Sequence, residues 1–184
     1  MIYIVIGSTC SGKSTLVKNT FIRNREPVLK RDLIPYCELD DCILIGNYLT
    51  GKRRVGTDMI SKSQLGLMGQ QVKNLINLNK DIVLEGMRCV SRPLVNYLIQ
   101  NKLDCCIIWV DCGAEESFNR ANKPSGNTGN PPNFKLVSVE YVKCRNFYND
   151  FKGLITTKRI DSTDVDWNTF TLSTCKYVKE KSLW

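Results

Sequence analysis

Short runs of continuous apolar residues alternate along the chain with longer stretches in which apolar positions recur every three or four residues. Ile2–Ile6, Asp81–Glu85 (Asp-Ile-Val-Leu-Glu) and Asp104–Val110 (Asp-Cys-Cys-Ile-Ile-Trp-Val) are such runs, and Leu154–Thr157 is a weaker fourth. Runs this short and this uniformly apolar predict strands buried on both faces. The helical spacing predicts helices over Lys13–Arg23, Ser63–Leu78, Arg92–Asn101, Glu115–Ala121 and Val137–Phe151. Buried strands alternating with helices imply an α/β fold, a central parallel sheet with helices on both faces. Two stretches break the rhythm. Tyr36–Leu49 has an Asp40-Asp41 centre between two strand-like runs, which predicts a β-hairpin. It reads as an insertion of about 36–50 that continues in a polar stretch to about 58. Residues of about 120–134 hold Lys-Pro-Ser-Gly-Asn-Thr-Gly-Asn-Pro-Pro, the composition of a loop and of lids over active sites. No internal repeat and no domain boundary is evident, so 1–184 reads as a single domain.

Composition narrows the chemistry. At 184 residues with 42% hydrophobic and 24% charged residues, the chain is an ordinary soluble globular protein rather than a disordered or fibrous one. No apolar run approaches the roughly 18 residues of a membrane span. The N-terminus lacks a charged leader region, so no signal peptide is expected and the expected location is cytoplasmic. Lys and Arg total 26 against 18 Asp and Glu, a net charge of +8 that favours polyanionic partners such as nucleotides or nucleic acid. There is no histidine, which removes every mechanism built on imidazole. The nine cysteines form no Cys-x-x-Cys pair, and Cys42, Cys105, Cys106 and Cys112 sit in apolar runs where a thiol serves as a small hydrophobe.

The strongest motif is Gly7-Ser8-Thr9-Cys10-Ser11-Gly12-Lys13-Ser14, followed by Thr15, a match to GxxxxGK[ST] between a predicted strand and a predicted helix. The glycines let successive backbone N–H groups turn toward a phosphate, and the helix start adds positive partial charge. Lys13 reaches the terminal phosphates and the Ser14 hydroxyl ligates magnesium. The guanine-type Asn101-Lys-Leu-Asp104 precedes a strand instead of following one, so it reads as a helix end and turn, and ATP is the expected nucleotide.

Candidate acids and bases surround this loop. Glu85 ends a predicted strand, and in parallel sheets ligands lie at the carboxyl ends of strands. It is a candidate magnesium ligand or general base, with Arg88 one turn later as a phosphate clamp. Asp58, in Gly56-Thr57-Asp58, follows the basic cluster Lys52-Arg53-Arg54. It is a second candidate base or, equally, a helix cap. Arg120 and Lys123 flank the start of the lid-like loop and Arg145 lies on the next helix, where cations would neutralise a transferring phosphoryl group. Asp111 ends the third strand and is a site or turn residue. Tyr36, Tyr48 and Phe134 are candidates to stack on a base.

With these residues in place the chain resembles the P-loop nucleotide kinases from Met1 to about Asp161. The segment Ile43–Ser61, with Gly46-Asn-Tyr48, Gly51, Gly56-Thr57-Asp58 and Ser61, is similar more narrowly to the phage P-loop kinases of thymine hypermodification, the 5-hydroxymethyluracil DNA kinases. That resemblance implies a P-loop kinase three-layer fold and transfer of the γ-phosphoryl of ATP, with Mg2+, to the 5-hydroxymethyl group of 5-hydroxymethyluracil in DNA. It carries over the phosphate loop Gly7–Thr15, Gly56-Thr57-Asp58 and Glu85-Gly86, and Tyr36-Cys37-Glu38 fits the pattern. In this reading Ser14 and Glu85 hold magnesium, Asp58 or Glu85 accepts the hydroxyl proton, and Lys13, Arg88 and Arg120 complete the catalytic set. Tyr36, Glu38, Tyr48, Arg53, Arg54, Thr57 and Asp58 become the substrate contacts. Two other readings stay open: a kinase of free nucleosides or nucleoside monophosphates, and a nucleotide-dependent binding protein that transfers nothing.

Overall fold

The computed structural model describes residues 1–49, 55–123, 132–174 and 176–177. Its centre is one eight-stranded sheet in the order β2-β3-β4-β5-β1-β6-β7-β8. The strands are β1 (Ile2–Ile6), β2 (Val28–Lys30), β3 (Tyr36–Glu38), β4 (Cys42–Ile45), β5 (Asp81–Glu85), β6 (Cys105–Asp111), β7 (Thr156–Asp161) and β8 (Lys176–Tyr177). The five central strands, β4 to β7, run parallel, and antiparallel strands extend both edges. The helices are α1 (Lys13–Val17), α2 (Met68–Leu75), α3 (Arg92–Gln100), α4 (Ala114–Asn122) and α5 (Phe134–Phe151). A π-turn over Lys18–Ile22 prolongs α1, and 3-10 turns over Lys62–Leu67 and Ile76–Leu78 flank α2.

The strand alternation divides the core into two layers. Ile2, Ile4 and Ile6 of β1, Ile82 and Leu84 of β5, and Cys105, Ile107 and Trp109 of β6 pack against α2, α3 and α5. Val5, Val83, Cys106, Ile108 and Val110 face the other way, onto Leu16, Val17, Phe21 and Ile22 of α1 and its extension and onto Phe170. Both faces of the central strands are therefore buried, which is why these runs carry no polar alternation. The helices expected at 115–121 and 137–151 form as α4 and α5. The start of α5 at Phe134 is set by Asn133, whose side chain accepts from Leu136 N at 2.8 Å.

The expected hairpin forms, with Tyr36 opposite Ile45, Cys37 opposite Leu44 and Glu38 opposite Ile43. Its second strand also pairs in parallel with β5, so β4 is part of the central sheet. The weak strand expected at 154–157 lies further on, at Thr156–Asp161. Asn101 caps the end of α3 ahead of β6, so the Asn101–Asp104 motif is a helix end and turn. No helix among the described residues is long and apolar enough to cross a membrane.

Candidate active site

β1 lies between β5 and β6, and the phosphate-loop motif leaves its carboxyl end. α1 begins at Lys13 behind Gly12, whose φ is 98°, with no side-chain cap and no acidic residue in its first turn. Its first backbone N–H groups are thus left for an anion. At Gly7 a β-carbon would stand 2.4 Å from Ser11 Oγ and 2.5 Å from Val110 O, so only glycine lets the loop fold this tightly. The buried Ser11 Oγ has no hydrogen-bond partner among the described residues. A cradle closed to side chains, with an uncompensated hydroxyl and free helix-end amides, fits a phosphate chain. Lys13 is buried and donates to Ser8 O at 2.9 Å. Ser8 Oγ meets Ser117 Oγ at 2.6 Å, tying the loop to α4. Thr9 N donates to Glu140 Oε2 of α5 at 2.8 Å. Cys10 is exposed at the loop tip with φ 61°.

Glu85, at the end of β5, is buried beside this loop. Its Oε1 accepts from Ser14 Oγ at 3.1 Å and its Oε2 from Tyr48 Oη at 3.1 Å. Burial raises its pKa above the ordinary carboxyl value and the nearby Asp58 adds to the rise, while Lys13 and the two hydroxyl donors oppose it. Tyr48 is itself pushed well up by burial and by the adjoining Glu85. Thr57 Oγ1 donates to Glu85 O at 2.9 Å, which seats the turn Thr57–Met59 on the strand end. Asp58 is half-buried and its Oδ1 accepts from Arg88 N at 3.3 Å. It does not cap the turn that follows it, whose cap is Ser61 in a capping box with Gln64; its bond is to an amide of the separate 3-10 turn Met87–Cys89. The two candidate acids thus stand in different settings. Glu85 has both oxygens engaged inward, whereas Asp58 is half-buried and bonds the backbone of Arg88, which lines a cleft.

That cleft, of about 1440 Å³, lies between the Lys62–Leu67 turn, the 87–93 segment and α5. Its walls carry Lys62, Arg88, Arg92, Lys135 and Lys143 and no carboxylate. Ser138 also lines it, and the Ser138 Oγ is buried without a partner among the described residues.

Lys13, Ser14, Tyr48, Thr57, Asp58, Glu85 and Arg88 come together at the carboxyl ends of β1, β4 and β5. Other expected residues do not join them. Glu38 lies at the opposite end of its strand, in an ion pair with Lys80 at 2.8 Å, because the antiparallel run of β3 carries it away from the site. Tyr36 packs its ring half-buried against the α2–α3–α5 core. Tyr48 is 3% exposed, so it offers no ring face to a base and acts through its hydroxyl. Phe134 opens α5, meets Phe118 edge-on at 5.4 Å and lines the cleft instead, half exposed. Asp111 holds Arg159 at 2.6 and 2.9 Å and Gly113 N at 3.0 Å, a turn and ion-pair role. Arg145 is exposed on α5 and Lys123 exposed at the end of α4. Lys52, Arg53 and Arg54, and 124–131 of the lid-like loop, lie outside the described residues.

Arg120 has a role that spacing did not indicate. Its guanidinium bonds Glu116 and the carbonyls of Ser162 and Thr163, and stacks 4.9 Å over Trp167. Trp167 in turn lies against Gly12, where a β-carbon would be 2.5 Å from its ring. Ser162 Oγ reaches Ser11 O at 2.8 Å, and Asn19 Nδ2 holds the carbonyls of Trp167 and Phe170. Residues 162–170 therefore brace the phosphate loop from the side. Neither this brace nor Glu140 was legible in local sequence, since both act across more than 100 residues.

Among the described residues no group of three or more carboxylate or thiol donors is disposed to hold a metal ion. Ser14 and Glu85, bonded to each other at 3.1 Å, would offer two oxygen ligands to a magnesium ion that takes the rest of its shell from phosphate and water.

No family model matches the chain, and no curated protein matches it in sequence. Solved structures do resemble it. The deoxyadenosine kinase from M. mycoides with bound dATP superposes with a TM-score of 0.52 at 13% identity, covering 92% of this chain and 95% of that one. The same kinase with products dCMP and a flexible dCDP gives 0.53 at 14% identity, covering 92% and 94%. The likeness shows the fold alone, the α/β fold of those deoxyadenosine kinases. It does not single out the narrower resemblance to DNA-base kinases.

Proposed function

We propose that this chain is an ATP-dependent phosphotransferase whose acceptor is an alcohol group on a nucleoside or nucleotide. The observation that carries the reading is the division of labour between the two acids. Glu85 is buried against the Ser14 hydroxyl of a formed phosphate loop, and Asp58, half-buried, bonds the backbone of Arg88, a residue that lines an adjoining cleft. A protein that only binds nucleotide has no use for a second acid held at this position. The solved neighbours, which hold dATP, dCMP and dCDP, support a free nucleoside or nucleotide as acceptor.

In this reading Lys13 and the amides at the start of α1 hold the donor phosphates. Ser14 and Glu85 hold magnesium, which neutralises charge on the transferring group when bound. Asp58 accepts the proton of the acceptor hydroxyl. The acceptor oxygen forms a bond to the γ-phosphorus, the bond from that phosphorus to the bridging oxygen breaks, and ADP leaves. Arg88 lines the cleft next to Asp58 and compensates charge there. Arg120 acts by keeping the 162–170 brace on the loop. Phosphoryl transfer depends mainly on positioning and electrostatics, which this arrangement supplies.

A second reading has one observation in its favour. A cleft lined by Lys62, Arg88, Lys135 and Lys143, with Arg92 already paired to Asp150, on a chain of net charge +8, also suits a hydroxymethyl group on a base within DNA, whose backbone the four cations would meet. Label transfer from γ-labelled ATP decides between them. The acceptors are deoxynucleosides and their monophosphates, 5-hydroxymethyl-deoxyuridine and its monophosphate, DNA containing 5-hydroxymethyluracil, and ordinary thymine DNA. Label in the free compounds supports the first reading. Label confined to the modified DNA supports the second. ATP binding with no label in any acceptor overturns both.

A further inference from the structure

The third residue of the phosphate loop is already bonded to a carboxylate. Thr9 N donates to Glu140 Oε2 at 2.8 Å, across 131 residues of sequence. α5 thus holds the loop through the Glu140 carboxylate. One helical turn further along α5, the buried Cys144 thiol lies 3.5 Å from Met87 Sδ. Lys135, Ser138, Val139, Val142 and Lys143 of the same helix line the cleft. α5 therefore joins the cleft to the phosphate loop.

A carboxylate is an unusual neighbour for a loop whose other features favour anions. Glu140 fixes the backbone at Thr9, and its charge opposes any phosphate brought into the same loop. We infer that Glu140 is a positioning residue that holds the rim of the phosphate loop through Thr9 and weakens donor binding through its charge. The inference rests on the nucleotide-binding reading of this loop. Its effect is to keep the loop shaped for transfer while limiting how tightly the charged donor and product are held.

Two substitutions separate the functions. Glu140→Gln keeps an oxygen for Thr9 N and removes the charge; Glu140→Ala removes both. Calorimetry with ATP and with ADP reads affinity, label transfer reads kcat and KM, and circular dichroism checks folding. The Gln variant is expected to bind ATP about three- to tenfold more tightly, the scale of one partly screened like-charge contact. That gain should shrink as salt is raised. The Ala variant is expected to lose kcat by about tenfold or more, as a loosened loop misplaces the phosphates. A Gln variant that binds ATP no more tightly than wild type overturns the charge role. An Ala variant with unchanged kcat overturns the positioning role. Wild-type protein that binds no ATP overturns the reading of the loop and this inference with it, an outcome distinct from the first two.

Discussion

Gly86 is the residue on which the placement of Asp58 depends most directly. It follows Glu85 with φ 131° and ψ 177°, a region of backbone space open to glycine and almost closed to other residues. A β-carbon there would lie 2.7 Å from Asp58 Oδ1, 2.8 Å from its Cγ and 2.8 Å from Thr57 Oγ1. Gly86→Ala therefore has two separable effects. The backbone strain costs about 1–3 kcal/mol. For a chain of this length that is a fall in Tm of roughly 2–12 °C. The collision forces the Asp58 carboxylate back by about 0.7 Å to reach ordinary contact. A displacement of about 1 Å at a reacting group costs on the order of a hundredfold in rate, so kcat should fall by roughly 10- to 100-fold. Gly153→Ala is the control. Gly153 has φ 85° with nothing within 4 Å of an added β-carbon, so it carries strain without collision. It should lower Tm and leave kcat intact. The assays are thermal melting and label transfer on both variants. If Gly86→Ala loses stability as Gly153→Ala does but keeps wild-type kcat, the position of Asp58 is not what the chemistry needs.

Other consequences follow from the buried end of the site. Glu85 has a folded pKa raised by burial above the unfolded value, so the native state holds the extra proton between the two. The stability this gives is fully present below the unfolded value, about 4.3, and is lost as pH rises through the folded value. The Tm of Glu85→Gln minus that of wild type should therefore grow from pH 4 to pH 8 in a melting series; a flat difference would mean Glu85 is not strained in its charged form. Tyr48→Phe removes a hydrogen bond to that carboxylate, worth about 1.5–3 kcal/mol, and should lower Tm by roughly 3–12 °C. The same change should push Glu85 further up, which a shift of the acid limb of the pH–rate profile to higher pH would reveal. Trp167→Ala removes the Arg120 stack, about 0.5–2 kcal/mol, and the contact on Gly12. It should weaken ATP binding in calorimetry while the circular dichroism spectrum stays native.

The legible parts of the molecule were those encoded over a few neighbouring residues. β1 and β5 fall where their apolar runs lie, and β6 is displaced by one residue, because strands buried on both faces need no distant partner to be recognised. β2 escaped notice because Val28–Lys30 is three residues of half-exposed edge. β7 was misplaced because Thr-Thr-Lys-Arg-Ile-Asp has one apolar residue, its parallel pairing with β6 making it a strand. The hairpin at Tyr36–Ile45 was visible through Asp40-Asp41, while the pairing of β4 with β5 was not, since register between strands forty residues apart leaves no local trace. The site divides the same way. Lys13, Ser14 and Glu85 could be read from a contiguous motif and a strand end. Tyr48 on Glu85, Glu140 on Thr9 and Trp167 on Gly12 depend on the assembled sheet.

The claim at the centre of this account is that Asp58 takes the acceptor proton while Glu85 serves the metal and the loop. The measurement that tests it most directly is label transfer by Asp58→Asn and Glu85→Gln, each across a magnesium titration, with ATP affinity measured beside it. The account predicts that Asp58→Asn loses about 10²- to 10⁴-fold in kcat, the usual contribution of a general base. Its ATP affinity and magnesium dependence should stay unchanged, while Glu85→Gln needs far more magnesium for half-maximal rate. Wild-type kcat in Asp58→Asn, or a magnesium dependence that moves with Asp58 and not with Glu85, would contradict it.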